Sequence, residues 1–173
     1  MQFASTNRPP SAGGPVGFRH PEPADGPAIC ALARRSGLDE NSPYAYVMWG
    51  EYHAATSVVA EVDGSIVAFT IGFRVPERDD TVFVWQIAVD GDQRGTGLGG
   101  RMLDELVART GAAAIEATVT PDNVASAALF RGLGARQGTT VTTEPVFGEE
   151  LFPPGHDAEI RFRIPINEPT PKD

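Results

Sequence analysis

The segment that most narrows the fold is Gln93-Arg94-Gly95-Thr96-Gly97-Leu98-Gly99-Gly100, set between an apolar run at 81–89 and an amphipathic stretch that starts at Leu98. A glycine-dense turn so placed reads as the joint between a strand and a helix. Glycine supplies backbone conformations and a close approach that a side chain forbids. The unpaired amides of the helix's first turn point at whatever anion lies there, so the predicted ligand carries phosphate. Gly95, Gly97 and Gly100 also fit the dinucleotide-binding spacing, with Glu116 near the distance of its ribose-binding acid. Asp90, Gly91, Asp92, Gln93 and Arg94 nevertheless separate the apolar run from the first glycine, whereas a dinucleotide turn follows its strand at once. The strands upstream also read as an antiparallel meander. A P-loop is excluded, because no Lys-Ser or Lys-Thr follows the glycines.

With 173 residues and 41% hydrophobic content, the chain is expected to form one globular domain with a real core. Its 14 basic against 23 acidic residues leave a net charge of −9, which argues against nucleic acid or an anionic membrane as the partner and for a cationic or neutral small molecule. The single cysteine, Cys30, allows no internal disulfide. The three histidines, His20, His53 and His156, are too scattered to suggest a metal site. No apolar run is long enough to span a bilayer and no signal-peptide pattern opens the chain, so the expected location is cytoplasmic.

Residues 1–17, rich in Pro, Gly, Ser, Asn and Thr, read as a disordered tail, 18–165 as the domain, and 166–173 as a flexible C-terminal tail. A first helix begins at Pro27 and ends at Gly37, and a second begins with Ser42 as N-cap and Pro43 in the first turn. Strands are expected at 57–61 and 66–75, joined across Asp63-Gly64. A turn at 76–80 leads to a central strand at 81–89, with Phe83, Trp85 and Ile87 alternating against Val82, Val84, Gln86 and Ala88. The helix after the glycine loop carries Leu98, Met102 and Leu106 on one stripe. A strand at 113–120, a helix at 125–133 stopped by Gly134, and last strands near 135–143 and 157–164 complete an α/β (α+β) architecture of helices on a mixed, mostly antiparallel sheet.

The pattern Arg94, two residues, Gly97, one residue, Gly99 resembles the pyrophosphate loop of the GNAT-type N-acetyltransferases. The order strand, loop, helix, strand, Asn-containing turn, helix over 81–134 resembles their acetyl-CoA-binding half. The resemblance implies a sheet splayed after the 81–89 strand, with acetyl-CoA as cosubstrate. Pantetheine would pair with backbone near Ile87 and Val89, and the pyrophosphate would sit on amides from Arg94, Gly95, Thr96, Gly97, Leu98 and Gly99. Asn123, in its own right a turn residue or helix cap, would also contact the cosubstrate. Where many members carry a proton-donating tyrosine, this chain has Phe130, which leaves the usual general acid open.

A closer resemblance rests on Leu38-Asp39-Glu40-Asn41-Ser42-Pro43-Tyr44-Ala45-Tyr46, Phe83-Val84-Trp85-Gln86, Thr118-Val119-Thr120-Pro121-Asp122-Asn123, and Gly148-Glu149-Glu150-Leu151-Phe152 before His156. Together these are similar to the L-2,4-diaminobutyrate acetyltransferase family of ectoine biosynthesis, whose members acetylate the γ-amine and are commonly dimers. The resemblance places Asp39, Asn41, Ser42, Tyr44, Trp85, Thr118, His156 and Glu159 at the substrate. A diamine amino acid needs carboxylates for its amines, donors for its carboxylate and a route for the amine proton. Asp39 and Glu159 are the expected amine partners, Glu116 or Glu159 the expected base, and Tyr44 or water a replacement acid. Cys30 as a nucleophile is disfavoured by its distance along the chain from the loop. Acetylation of ornithine, lysine or a polyamine, and acyl-CoA binding without turnover, stay open as alternatives.

Overall fold

The computed structural model describes residues 14–39 and 41–166. Its elements run β1 (Gly17–Arg19), α1 (Gly26–Arg35), α2 (Pro43–Tyr52), β2 (Val58–Val62), β3 (Ser65–Val75), β4 (Arg78–Val89), α3 (Leu98–Thr110), β5 (Ala114–Val119), α4 (Val124–Gln137), β6 (Thr142–Phe147) and β7 (Glu159–Pro165). One seven-stranded sheet has the order β1-β2-β3-β4-β5-β7-β6. Every neighbouring pair is antiparallel except β4 and β5. On one face α3 and α4 bury Leu98, Met102, Leu103, Leu106, Phe130 and Leu133 against the sheet. On the other, Ile29, Leu32 and Ala33 of α1 and Tyr46 of α2 cover Val59, Phe69 and Ile71.

Local chemistry explains the joints. Asp63 and Gly64 both take positive φ, 50° and 76°, which closes the β2–β3 hairpin. Ser42 caps α2 by accepting from the Ala45 amide at 3.4 Å, with Pro43 following it in the first turn. Four expected boundaries are corrected. The 76–80 turn shrinks to Pro76-Glu77, because Arg78 already pairs with Val75. Gly134 does not stop its helix: α4 continues to Gln137 and ends at Gly138, φ 64°. Gly134 is instead a packing position, where a Cβ would collide with the Val141 side chain. The strand expected at 135–143 therefore begins only at Thr142. The tail drawn to residue 17 also overreaches, since Gly17 pairs with Glu61 in the sheet. At the other end, the Ile166 amide donates to the Ala113 carbonyl at 2.8 Å. The rest of both expected tails, 1–13 and 167–173, lies outside the described residues.

The main correction concerns β4. Ile71 pairs with Gln86 but Gly72 pairs with Val84, so Trp85 is an extra residue, a β-bulge. The simple alternation expected along 81–89 breaks there. Val82 and Val84 face α3, whereas Trp85 and Ala88 pack with α1 and α2, and Ile87 and Val89 return to the α3 side. The Gly72 carbonyl, beside the bulge, accepts from Thr56 Oγ1 at 2.7 Å and from the Trp49 indole at 3.2 Å.

The short strand β1 is tied down by charge. Arg19 bridges Asp25 and Glu61, each at 2.6 Å, and Arg35 bridges Asp90 at 2.6 Å. The hydrogen bonds from Arg19 and Arg35 hold the carboxyls of Asp25 and Asp90 below their ordinary value. A depressed carboxyl contributes stability that is full above the unfolded pKa of about 3.9 and is lost as pH falls through the folded one. Asp25→Asn is therefore expected to flatten the fall of stability below about pH 4, as measured by urea unfolding at a series of pH values. An unchanged slope would remove Asp25 from the acid sensitivity.

Candidate active site

β4 and β5 pair only at Thr81–Ala114, Val82–Ile115 and Phe83–Glu116. Beyond Phe83 the strands part, and a cleft of about 700 Å³ opens between them. The Asp90 amide donates to the Val67 carbonyl at 2.8 Å. Backbone groups in an antiparallel ladder alternate in direction every residue, so those of Ile87 and Val89 face away from β3 and into the gap. Consistent with this, the Val89 carbonyl accepts from Arg94 Nε at 3.3 Å.

The glycine loop follows directly. Gly95 and Gly97 take φ of 76° and 79°, and a Cβ on either would meet open space. Those two glycines are needed for their left-handed backbone rather than for room. Gly97 is the N-cap of α3 and supplies no side-chain cap, which leaves the first-turn amides from Leu98 onward for a ligand. Leu98 itself is core, so only its backbone is available. Arg94, Gly95, Thr96 and Gly97 are exposed and lie beyond the cleft at its β4 end.

Four segments close the cleft: Gly37, Leu38, Asp39 and Asn41 between α1 and α2; Trp85, Gln86 and Ile87 of β4; Thr118 and Thr120 at the end of β5; and Gly155, His156, Asp157 and Glu159 before and on β7. Asn123, Ser126 and Phe130 of α4 complete it. Asn123 also caps α4, accepting from the Ser126 amide at 3.1 Å. Phe130 is buried against Phe162, with ring centroids 6.3 Å apart. Trp85 stacks on Trp49 at 4.3 Å, which fixes that wall. His156 stacks on Phe152 at 4.1 Å, and its Nε2 lies 3.9 Å from Glu159 Oε1, too far for a hydrogen bond. Glu159 Oε2 is buried and has no hydrogen-bond partner among the described residues.

Asp39, Asn41, Trp85, Ile87, Thr118, Asn123, Phe130, His156 and Glu159 are thus brought together. Three of the expected substrate and catalytic residues are not. Tyr44 is 69% exposed on α2 and does not line the cleft. Ser42 spends its hydroxyl on the helix cap, also outside the cleft. Glu116 is buried outside it between Arg78 at 2.7 Å and Arg163 at 2.5 Å. Both carboxylate oxygens of Glu116 are thus engaged by guanidiniums, and neither Glu116 nor Tyr44 borders the cleft. Gln86, Thr120, Asp122 and Asp157 line the cleft without having been expected there. Gln86 is the one with a signal, as the lone polar residue among the apolar residues 82–89.

A parted sheet, amides free at a glycine loop and a carboxylate-lined cleft between them suit acyl transfer from a phosphorylated thioester. Residues 27–135 match the Acetyltransferase (GNAT) family, and the chain belongs to it. Relatives within that family are more particular. An L-2,4-diaminobutyric acid acetyltransferase from Halalkalibacterium halodurans is 46% identical over 148 residues, covering 83% of this chain and 78% of its own. One from Nocardia farcinica is 43% identical over 151 residues, covering 85% and 78%. The diaminobutyrate acetyltransferase EctA from Paenibacillus lautus, solved with L-2,4-diaminobutyric acid and coenzyme A, matches with a TM-score of 0.85 at 38% identity, over 91% of this chain and 100% of that one.

Proposed function

We propose that the chain transfers acetyl from acetyl-CoA to the γ-amine of L-2,4-diaminobutyrate, making N-γ-acetyl-diaminobutyrate for ectoine synthesis, and that it does so in the cytoplasm as a homodimer. Among the described residues, no helix is long and apolar enough to cross a membrane. The observation that carries the reaction is the Glu159 carboxylate on the lining of the cleft that opens where β4 and β5 part. Its side chain keeps 18% of its surface exposed, and a substrate ammonium meets that exposed part as a charge-assisted partner. Relatives with this printed activity across most of the chain support the same substrate.

In this reading the backbone at Ile87 and Val89 pairs with pantetheine, and amides from Gly95 to Gly99 take the pyrophosphate, the Arg94 amide being spent on the Gly91 carbonyl at 3.2 Å. Asn123 and Phe130 flank the thioester end. Asp39 and Glu159 face the two amines, with Asn41, Trp85, Thr118 and His156 completing the pocket. Glu159 takes a proton from the γ-ammonium. The neutral nitrogen attacks the thioester carbonyl, a backbone amide near Ile87 donates to the developing oxyanion, and the C–N bond forms. The nitrogen then gives its surplus proton to solvent as the tetrahedral intermediate collapses and the C–S bond breaks. Coenzyme A departs as a thiolate. Because Phe130 has no proton to give, the thiolate is protonated from solvent.

Release of free thiol from acetyl-CoA tests this, with diaminobutyrate, ornithine, lysine and a polyamine compared at equal concentration. The expected result is preferential release with diaminobutyrate. Preference for another amine would discard the substrate, and acetyl-CoA binding without release from any of them would discard catalysis.

A further inference from the structure

The bulge at Trp85 has a second effect: it turns Gln86 away from α3 and toward α2. There the hydroxyl of Tyr46, a residue only 1% exposed, donates to Gln86 Oε1 at 3.0 Å. Gln86 Nε2 donates in turn to the backbone carbonyl of Asp39 at 3.3 Å, and Asn41 Nδ2 donates to the same carbonyl at 3.4 Å. Burial pushes the Tyr46 phenol up. The direction of the relay is fixed by its far end, because a carbonyl only accepts and so requires the amide nitrogen of Gln86 to face it.

We propose that Gln86 is a positioning residue for the diamine: together with Tyr46 and Asn41 it clamps the main chain at Asp39 and sets where the Asp39 carboxylate meets the substrate. The inference rests on the function proposed above. Asp39 sits on the connection between α1 and α2, just after Gly37 at φ 74°. A carboxylate on such a connection must be held to within about half an ångström for productive binding. Gln86 ties it to β4, the strand whose backbone borders the other half of the cleft. The cosubstrate side of the cleft does not depend on this tie, so its loss acts on one substrate only.

Gln86→Glu separates a clamp from mere packing. It keeps the shape and still accepts from Tyr46, but turns a carboxylate oxygen toward the Asp39 carbonyl. The expected result is a rise of about tenfold in KM for diaminobutyrate, with KM for acetyl-CoA and the melting temperature unchanged. Peptide-level hydrogen exchange across 36–42 is expected to quicken by a similar factor. Tyr46→Phe, which removes only the outer bond, shifts both readouts in the same direction by less. Unchanged exchange in Gln86→Glu, or an equal rise in both KM values, would overturn the clamp. If the unaltered protein fails to acetylate diaminobutyrate, the proposed function fails, while the exchange measurement still decides whether Gln86 holds Asp39.

Discussion

Glu159→Gln is expected to lower kcat/KM for diaminobutyrate by about 10²- to 10³-fold, the range for loss of a positioned base. Glu159 opens β7, where it pairs with Phe147 of β6, and its carboxylate borders the cleft opposite Trp85 and Ile87. One oxygen is buried with no hydrogen-bond partner among the described residues, and the His156 Nε2 stands off from the other at 3.9 Å. No arginine pairs with this carboxylate among the described residues, unlike Glu116 between its two arginines. Glutamine keeps the volume and cannot take the proton. Acetyl-CoA affinity, measured by titration calorimetry, is expected to stay the same, because the pyrophosphate amides and the β4 backbone are untouched. A loss of less than about threefold would mean that water, and not Glu159, carries the proton.

Gly72→Ala is expected to cost about 2–3 kcal/mol, the scale of an overpacked core that has to shift its backbone, and to take the cleft's geometry with it. A Cβ at Gly72 would collide with the Phe83 carbonyl and stand 3.3 Å from the Thr56 carbonyl. Both obstacles are backbone and cannot swing aside as a side chain would. The residue lies across from the Trp85 bulge, so relief means moving β4 at the point where it leaves β5. For a domain of this size the melting temperature should fall by about 5–10 °C, and thiol release should fall more than stability alone explains. Gly17→Ala is the matched control, since its Cβ would meet nothing within 4 Å. Equal melting temperatures for the two variants would show that the bulge tolerates displacement.

Features written in local chemistry were readable in advance. The Asp63-Gly64 hairpin, the Ser42 cap and the glycine turn after β4 each depend on a backbone conformation or cap that a few residues specify. The sheet with its antiparallel meander and helical flanks followed from those joints and the hydrophobic periods. What escaped depends on tertiary partners. The period-two reading of β4 could not reveal an inserted residue, so Trp85 and Gln86 were assigned the wrong relation to each other. Gly134 looked like a helix stop because glycine ends helices and also admits close packing, and only Val141 on the following segment tells which. Glu116 and Tyr44 had the right chemistry for proton transfer. Arg78 and Arg163, neither adjacent in sequence, engage Glu116, and Tyr44 lies exposed on α2, so neither borders the cleft.

The central claim is that this cleft presents the γ-amine of diaminobutyrate to a thioester held at the parted strands. It is tested most directly by NMR of the product formed from acetyl-CoA and diaminobutyrate. The predicted result is a single monoacetylated product whose amide proton couples to the γ-methylene. Acetylation on the α-nitrogen would contradict the assigned orientation, and no acetylated diamine at all would contradict the function.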